Sequence, residues 1–231
     1  MVNVLWAILY LIITFSITIV VYKIGGKEGL FIWICISIIL TNIQSVKYIN
    51  IFGLTTCMGN IAYSNIFLAT DILNEFEGKK EANKSVVYGL FAMITFTTLM
   101  SLSLLFEPNS FDTAQDSLIN IFTIVPRITI ASITAFLVSQ FLDVYIFAKL
   151  KQRYNKLWLS NNISTILSQI LDTMIFAIIA FVGTMPFEEL MIMAGTMYLI
   201  KLIIAIIDTG FIYTTKYLKN KQKDKKNGNN L

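Results

Sequence analysis

The sequence predicts an all-α, polytopic transmembrane helical bundle, and three observations predict it. Apolar runs of about 20 residues recur along the chain, the length that crosses a bilayer as a helix. Charged residues are only 14% of the 231 and fall in short clusters between those runs. The basic residues collect in alternate connections, as the positive-inside rule requires. With 56% apolar residues and a mean hydropathy of +0.70, the chain is too oily for an ordinary soluble domain.

The elements follow in order. A first helix covers about 4–22, followed by Lys23 and Lys27. It lacks a basic leader and a small-residue cleavage pattern, so it is expected to be retained. It carries Thr14, Ser16 and Thr18 but no charge, which predicts a peripheral, lipid-facing helix. A second helix covers about 29–46 and a third about 51–73, the latter dotted with hydroxyls and amides. A charged connection from Asn74 to Lys84 leads into a fourth helix over about 85–106. Glu107-Pro108-Asn109-Ser110 then breaks the chain as an acidic turn. Pro126 divides the next stretch into a short leading piece and a fifth helix over about 127–147. Sixth and seventh helices cover about 157–182 and 190–213, before a basic tail over 216–231.

Fifteen of the 18 Lys and Arg fall in the first connection, the connections after the third and fifth helices, and the tail. Seven spans result, six plus an N-terminal extra helix, with the N-terminus outside and the C-terminus in the cytoplasm. The whole chain, 1–231, is read as one integral membrane domain.

Composition also excludes chemistry. Histidine is absent, which removes imidazole triads, imidazole metal ligands and a near-neutral proton relay. Cys35 and Cys57 lie in or beside apolar segments without metal spacing, so no metal site and no cofactor is expected. No Gly-x-x-x-x-Gly-Lys-Ser/Thr phosphate loop occurs, so any energy coupling comes from an ion gradient or a separate protein. The tail, Lys216 to Lys226, supplies most of the net charge of +4. It marks a cytoplasmic end rather than a nucleic-acid contact. An enzyme acting on lipids would want clustered acids at an interface, and only Asp71 with Glu75 and Glu77 comes near.

Chemistry concentrates on polar stripes inside the apolar runs. The phrase Ser139-Gln140-Phe141-Leu142-Asp143 is repeated as Ser168-Gln169-Ile170-Leu171-Asp172 on the next helix. Each copy places Gln and Asp three residues apart, on one helical face. The third helix carries Asn60, Ser64, Phe67 and Asp71; the sixth Asn162, Thr165, Gln169 and Asp172; the seventh Tyr198, Lys201 and Asp208. Asp172 and Lys201 each sit on the order of 16 Å from a helix end, at mid-membrane. An unpaired charge there costs about 2.5–3.5 kcal/mol or more, so they read as an ion pair or a substrate or proton site. Asp143 reads as about 6 Å from the inner end of its helix, and Asp71 as close to an inner end. The expected substrate-binding residues are Asp172, Gln169, Asn162, Gln140, Asp143, Lys201, Asn60 and Phe67. Asp208, Asp71 and Arg127 are expected to act in coupling or gating, with Arg127 snorkelling to headgroups as its plainer role.

The stretch Phe67-Leu68-Ala69-Thr70-Asp71-Ile72-Leu73-Asn74-Glu75, with Gly78-Lys79-Lys80-Glu81-Ala82, resembles the signature of the bacterial queuosine-precursor transporters, also called the vitamin uptake transporter family. The likeness continues through Arg127-Ile128, Ala131-Ser132, Ser139 to Val144, Leu157-Trp158-Leu159, Asn161-Asn162 and Ser164 to Thr173, covering about 30–213. The resemblance implies a multi-pass protein of the cytoplasmic membrane that takes up 7-deazaguanine bases such as preQ0, preQ1 or queuine. It implies a 7-deazapurine base as partner, with lipid around it. A secondary, proton-linked carrier is the first expectation; a substrate-capture subunit docked on an ATP-driven energising module is the second. Whether the chain forms a homo-oligomer is left open.

Overall fold

The computed structural model describes residues 2–122, 126–183 and 186–228; the side chains of 54, 55, 126–129, 181 and 222–228 lie outside the description. Its first element, α1 (Val2–Gln44), is two antiparallel arms joined at Gly26, where φ is 55° and ψ is −143°. Only glycine takes that backbone conformation without strain. The arms, 2–25 and 27–44, return on each other: the Trp33 indole donates to the Thr18 hydroxyl at 2.8 Å, and the Tyr10 hydroxyl donates to Gln44 Oε1 at 2.9 Å.

The first arm departs from the expected peripheral helix. Leu11, Phe15, Thr18, Ile19 and Tyr22 recur at helical spacing and are buried, while Leu5, Trp6, Ile12 and Ile13 stay exposed. One face therefore packs into the bundle and the other presents an apolar surface suited to lipid. Asn65 holds the two arms together from a neighbouring helix. Its Oδ1 accepts from Thr18 at 2.5 Å and from Trp33 at 3.3 Å, and its Nδ2 donates to Ser37 at 2.7 Å. Asn65→Leu leaves buried donors and acceptors without partners, at about 1–3 kcal/mol for each group orphaned. The expected outcome is a lower melting temperature for the detergent-purified protein, measured against Asn65→Asp.

The expected third helix starts seven residues late. In place of its first turns, β1 (Tyr48–Ile51) and β2 (Leu54–Cys57) form an antiparallel hairpin, with Tyr48 opposite Cys57. Phe52 and Gly53 both have positive φ, the signature of a type I′ turn. Ile49, Ile51, Thr55 and Thr56 favour strands, a local preference that the apolar run concealed.

α2 (Met58–Phe76) is the centre of the molecule, with 15 of its 19 residues buried. Its polar residues explain why it is absent from the helices long and apolar enough to cross a membrane. Among the described residues five qualify: α1, α3 (Lys79–Ser103), α5 (Pro126–Tyr154), α6 (Leu157–Phe181) and α7 (Phe187–Gly228). The protein is thus an all-α membrane helical bundle carrying one small hairpin. The short α4 (Gln115–Phe122) precedes α5; Asp112 Oδ1 caps it, accepting from the backbone N–H of Ala114 and Gln115. The tail expected at 216–231 continues α7 as helix to Gly228.

One end of the bundle is tied by charge. Glu75 pairs with Lys151 at 2.9 Å and Lys216 at 3.5 Å, Glu77 with Lys219 at 3.1 Å, and Glu81 with Lys27 at 3.2 Å. Burial pushes the Glu77 carboxyl up, but hydrogen bonds from Tyr22 and Lys219 outweigh it and hold the group below its ordinary value of 4.5. A carboxyl whose folded pKa is depressed adds stability above its unfolded pKa and loses it as pH falls through the folded one. Glu77→Gln is therefore expected to lower the melting temperature at pH 7, with the difference from the parent shrinking below pH 4.5.

Candidate functional site

α2, α5, α6 and α7 bring the intramembrane polar residues together. At their centre Lys201 Nζ pairs with Asp172 Oδ2 at 2.5 Å, with side chains only 5% and 8% exposed. The other carboxylate oxygen, Oδ1, accepts from the Ser139 hydroxyl at 3.0 Å and from the Tyr63 hydroxyl at 3.3 Å. Lys201 also donates to Thr173 Oγ1 at 3.4 Å and lies 5.4 Å from the centre of the Tyr63 ring. A buried charge pair held this way has its solvation replaced by the protein, the condition under which it survives in a membrane core.

The pair borders a cavity of about 360 Å³. That lies toward the lower end of the roughly 300–1,000 Å³ typical of small-molecule sites. Asn60, Tyr63, Phe136 and Phe176 line it beside Asp172 and Lys201, and the β-hairpin and α4 contribute Tyr48, Thr56, Cys57 and Phe122. A charged pair, an amide and several aromatic faces in one apolar cavity suit a flat ligand with a donor and acceptor edge.

The twin phrase turns out to be a crossed pair. Because α5 and α6 run antiparallel, the Ser that opens one copy lies level with the Asp that closes the other. Ser139 donates to Asp172 at 3.0 Å, and Ser168 donates to Asp143 at 3.0 Å. Neither Ser139 nor Tyr63 was among the expected site residues; the signal for Ser139 was the repeat itself, read antiparallel.

The two copies meet different surroundings. Asp143 is fully buried away from the cavity and faces Asp71, with Asp208 also near. Asn161 Nδ2 donates to Asp208 Oδ1 at 2.9 Å. α5 runs to Tyr154, so Asp143 lies eleven residues from its end, about 16 Å rather than the expected 6 Å. Of the other expected residues, Asn60 lines the cavity and donates to Thr56 at 2.9 Å. Phe67 is buried behind it, edge-on to Tyr63 with ring centres 5.3 Å apart. Gln140 is fully buried, its Oε1 accepting from Thr70 at 3.4 Å, and Gln169 is buried with Oε1 unpaired. Asn162 lies away from the cavity, donating to the Trp158 carbonyl at 2.8 Å and to Thr209 at 2.9 Å. Arg127 opens α5, and its side chain lies outside the described residues.

A multi-helix membrane bundle with a buried charge pair on the wall of an apolar cavity is an arrangement suited to a membrane transporter. The match to known proteins agrees: residues 57–215 fit the family described as "Putative vitamin uptake transporter", and the chain belongs to that family. It is 41% identical over 217 residues to a "Probable queuosine precursor transporter" of Bacillus subtilis, covering 93% of this chain and 94% of the relative. A Haemophilus influenzae protein of the same description is 32% identical over 161 residues, 68% of this chain and 67% of its own length. The "Queuosine precursor transporter" of Escherichia coli is 33% identical over 135 residues, 58% of each chain. No solved structure matches the chain. The protein is accordingly a multi-pass cell-membrane transporter rather than an enzyme.

Proposed function

We propose that the protein takes up 7-deazaguanine precursors of queuosine as a proton-linked secondary carrier, and that the Asp172–Lys201 pair is its substrate site. The observation that carries this is a buried, hydrogen-bonded carboxylate and ammonium side by side on the wall of a cavity with aromatic faces. A deazaguanine presents an N–H and amine edge that a carboxylate accepts, a carbonyl that an ammonium satisfies, and a ring that aromatics cover. The descriptions of the three relatives support that substrate class.

The chain then acts as one domain of seven spans. The two arms of α1 count separately, and α2, α3, α5, α6 and α7 complete the set. The end tied by Lys27, Lys151, Lys216 and Lys219 faces the cytoplasm, which puts the N-terminus and the β-hairpin outside. The cavity beside the hairpin is then the outer approach to the site. Those same lysines pair with the chain's own Glu75, Glu77 and Glu81, which favours a self-contained carrier over a subunit docking on an energising module.

Liposomes containing the purified chain alone test this. Labelled preQ0 is expected to accumulate when the outside is made acidic, without ATP. A strict need for ATP and a second protein would contradict the carrier reading.

A further inference from the structure

Asp71 on α2, Asp143 on α5 and Asp208 on α7 converge between the substrate site and the cytoplasmic end. Lys201 and Asp208 are seven residues apart on α7, two turns along one face, which sets the cluster about 10 Å below the ion pair. All three carboxyls are fully buried. Asp71 faces both of the others and Thr165. The side chains that reach them are neutral: Asn161, Ser164, Thr165 and Ser168 from α6, and Thr209 from α7. Among the described residues no Lys or Arg pairs with any of the three; the nearby cations go to Glu75 or to Asp172.

A second observation points to an occupant. Both oxygens of Asp71, Oδ2 of Asp143 and Oδ2 of Asp208 are buried without a hydrogen-bond partner, and so is the Thr165 hydroxyl aimed at Asp71. Buried acceptors need donors, and neighbouring carboxylates without a counter-charge do not all ionise in a low dielectric. Among the described residues no set of three His, Cys, Asp or Glu is placed to hold a metal ion. A proton bound to one carboxyl oxygen supplies the missing donor, given to the neighbouring acid.

We propose that Asp71, Asp143 and Asp208 form the proton-carrying site of the transporter, separate from the substrate site. On the outward-facing protein the cluster holds its protons as carboxyl O–H groups, the one between Asp71 and Asp143 shared by both. Opening of the cytoplasmic end admits water, the protons leave to it, and the emptied acids take new ones once the cluster again communicates with the outer cavity. Substrate and proton then bind at different depths of the bundle, two helical turns apart along α7. This inference rests on the carrier reading above.

Neutral preQ0 is the probe, because it cannot stand in for the proton as a cation. Wild type, Asp71→Asn and Asp208→Asn are reconstituted in liposomes. Two fluxes are read: exchange of internal for external preQ0 at equal pH, and accumulation driven by a pH gradient. Both variants are expected to keep exchange, which also shows that they fold. They are expected to lose accumulation by about tenfold, within the usual span of a coupling free energy. Gradient-driven accumulation by both variants at the wild-type level would overturn the site, as would accumulation by the wild type on a sodium gradient alone. Loss of exchange in both variants would place the acids in the substrate path and overturn it too. Independently of transport, infrared spectra are expected to show a protonated-carboxyl band in the wild type that weakens in each variant; its absence would overturn the site. A wild type that fails even to exchange preQ0, with the carboxyl band present, would instead sink the carrier reading.

Discussion

Asp172→Asn is expected to lower affinity for a deazaguanine by about 10- to 100-fold and to bring uptake close to background. Each hydrogen bond from ligand to a charged acceptor contributes about 1.5–3 kcal/mol, and 1.4 kcal/mol is a tenfold change. The same substitution leaves Lys201, only 5% exposed, without its counter-charge. Breaking one side of a buried pair costs about 3–5 kcal/mol, so the variant also loses stability. The two effects separate in the double variant Asp172→Asn with Lys201→Met. It removes both charges, so thermal stability is expected to recover toward the parent while binding does not. Calorimetry with preQ1 and a melting curve on the two single variants and the double variant complete the cycle. Recovery of binding along with stability would show that the pair only joins helices.

Gly59→Val has the next largest expected effect, and it acts through shape rather than charge. Gly59 opens α2 beside the end of α1 and lines the cavity. A Cβ there would come within 2.9 Å of the Ser45 Cα, a backbone atom that cannot rotate away. Overpacking of this kind costs about 1–3 kcal/mol. Here it also pushes 44–46 away from α2 at the cavity wall, where Ser45 and Val46 contribute. The expected result is reduced uptake together with a lower melting temperature. Ser45→Gly on that background removes the side-chain part of the clash but not the collision with the backbone, and so restores both in part.

Much of the fold was legible because a bilayer makes hydropathy decisive. The apolar runs and the punctuation at Pro126 and at the Glu107-Pro108 turn located α3, α5, α6 and α7 to within a few residues or turns. The break after the first arm showed as Lys23 to Lys27, and the structure places the reversal at Gly26. The hairpin at 48–57 was hidden because its isoleucines and threonines continue an apolar run, and a strand cannot be told from a helix turn there by hydropathy. The inward face of the first arm was hidden for another reason. Thr18 is one hydroxyl among apolar neighbours, and its partner Asn65 lies 47 residues away.

The site was legible in its chemistry more than in its geometry. Asp172 and Lys201 stood out because two opposite charges at mid-membrane need each other. Asp71 and Asp143 looked like separate helix-end acids, since Asp143 was measured from Phe147 and α5 continues to Tyr154. Their convergence with Asp208 depends on how three helices pack. No spacing along one helix encodes that.

The cavity bordered by Asp172 and Lys201 is expected to hold a 7-deazaguanine. The most direct test is an affinity measurement on the purified wild-type protein with preQ0, preQ1, queuine and guanine. Saturable binding of at least one deazaguanine, clearly tighter than guanine, is the predicted result. Failure of every deazaguanine to bind by a protein that melts cooperatively would contradict it.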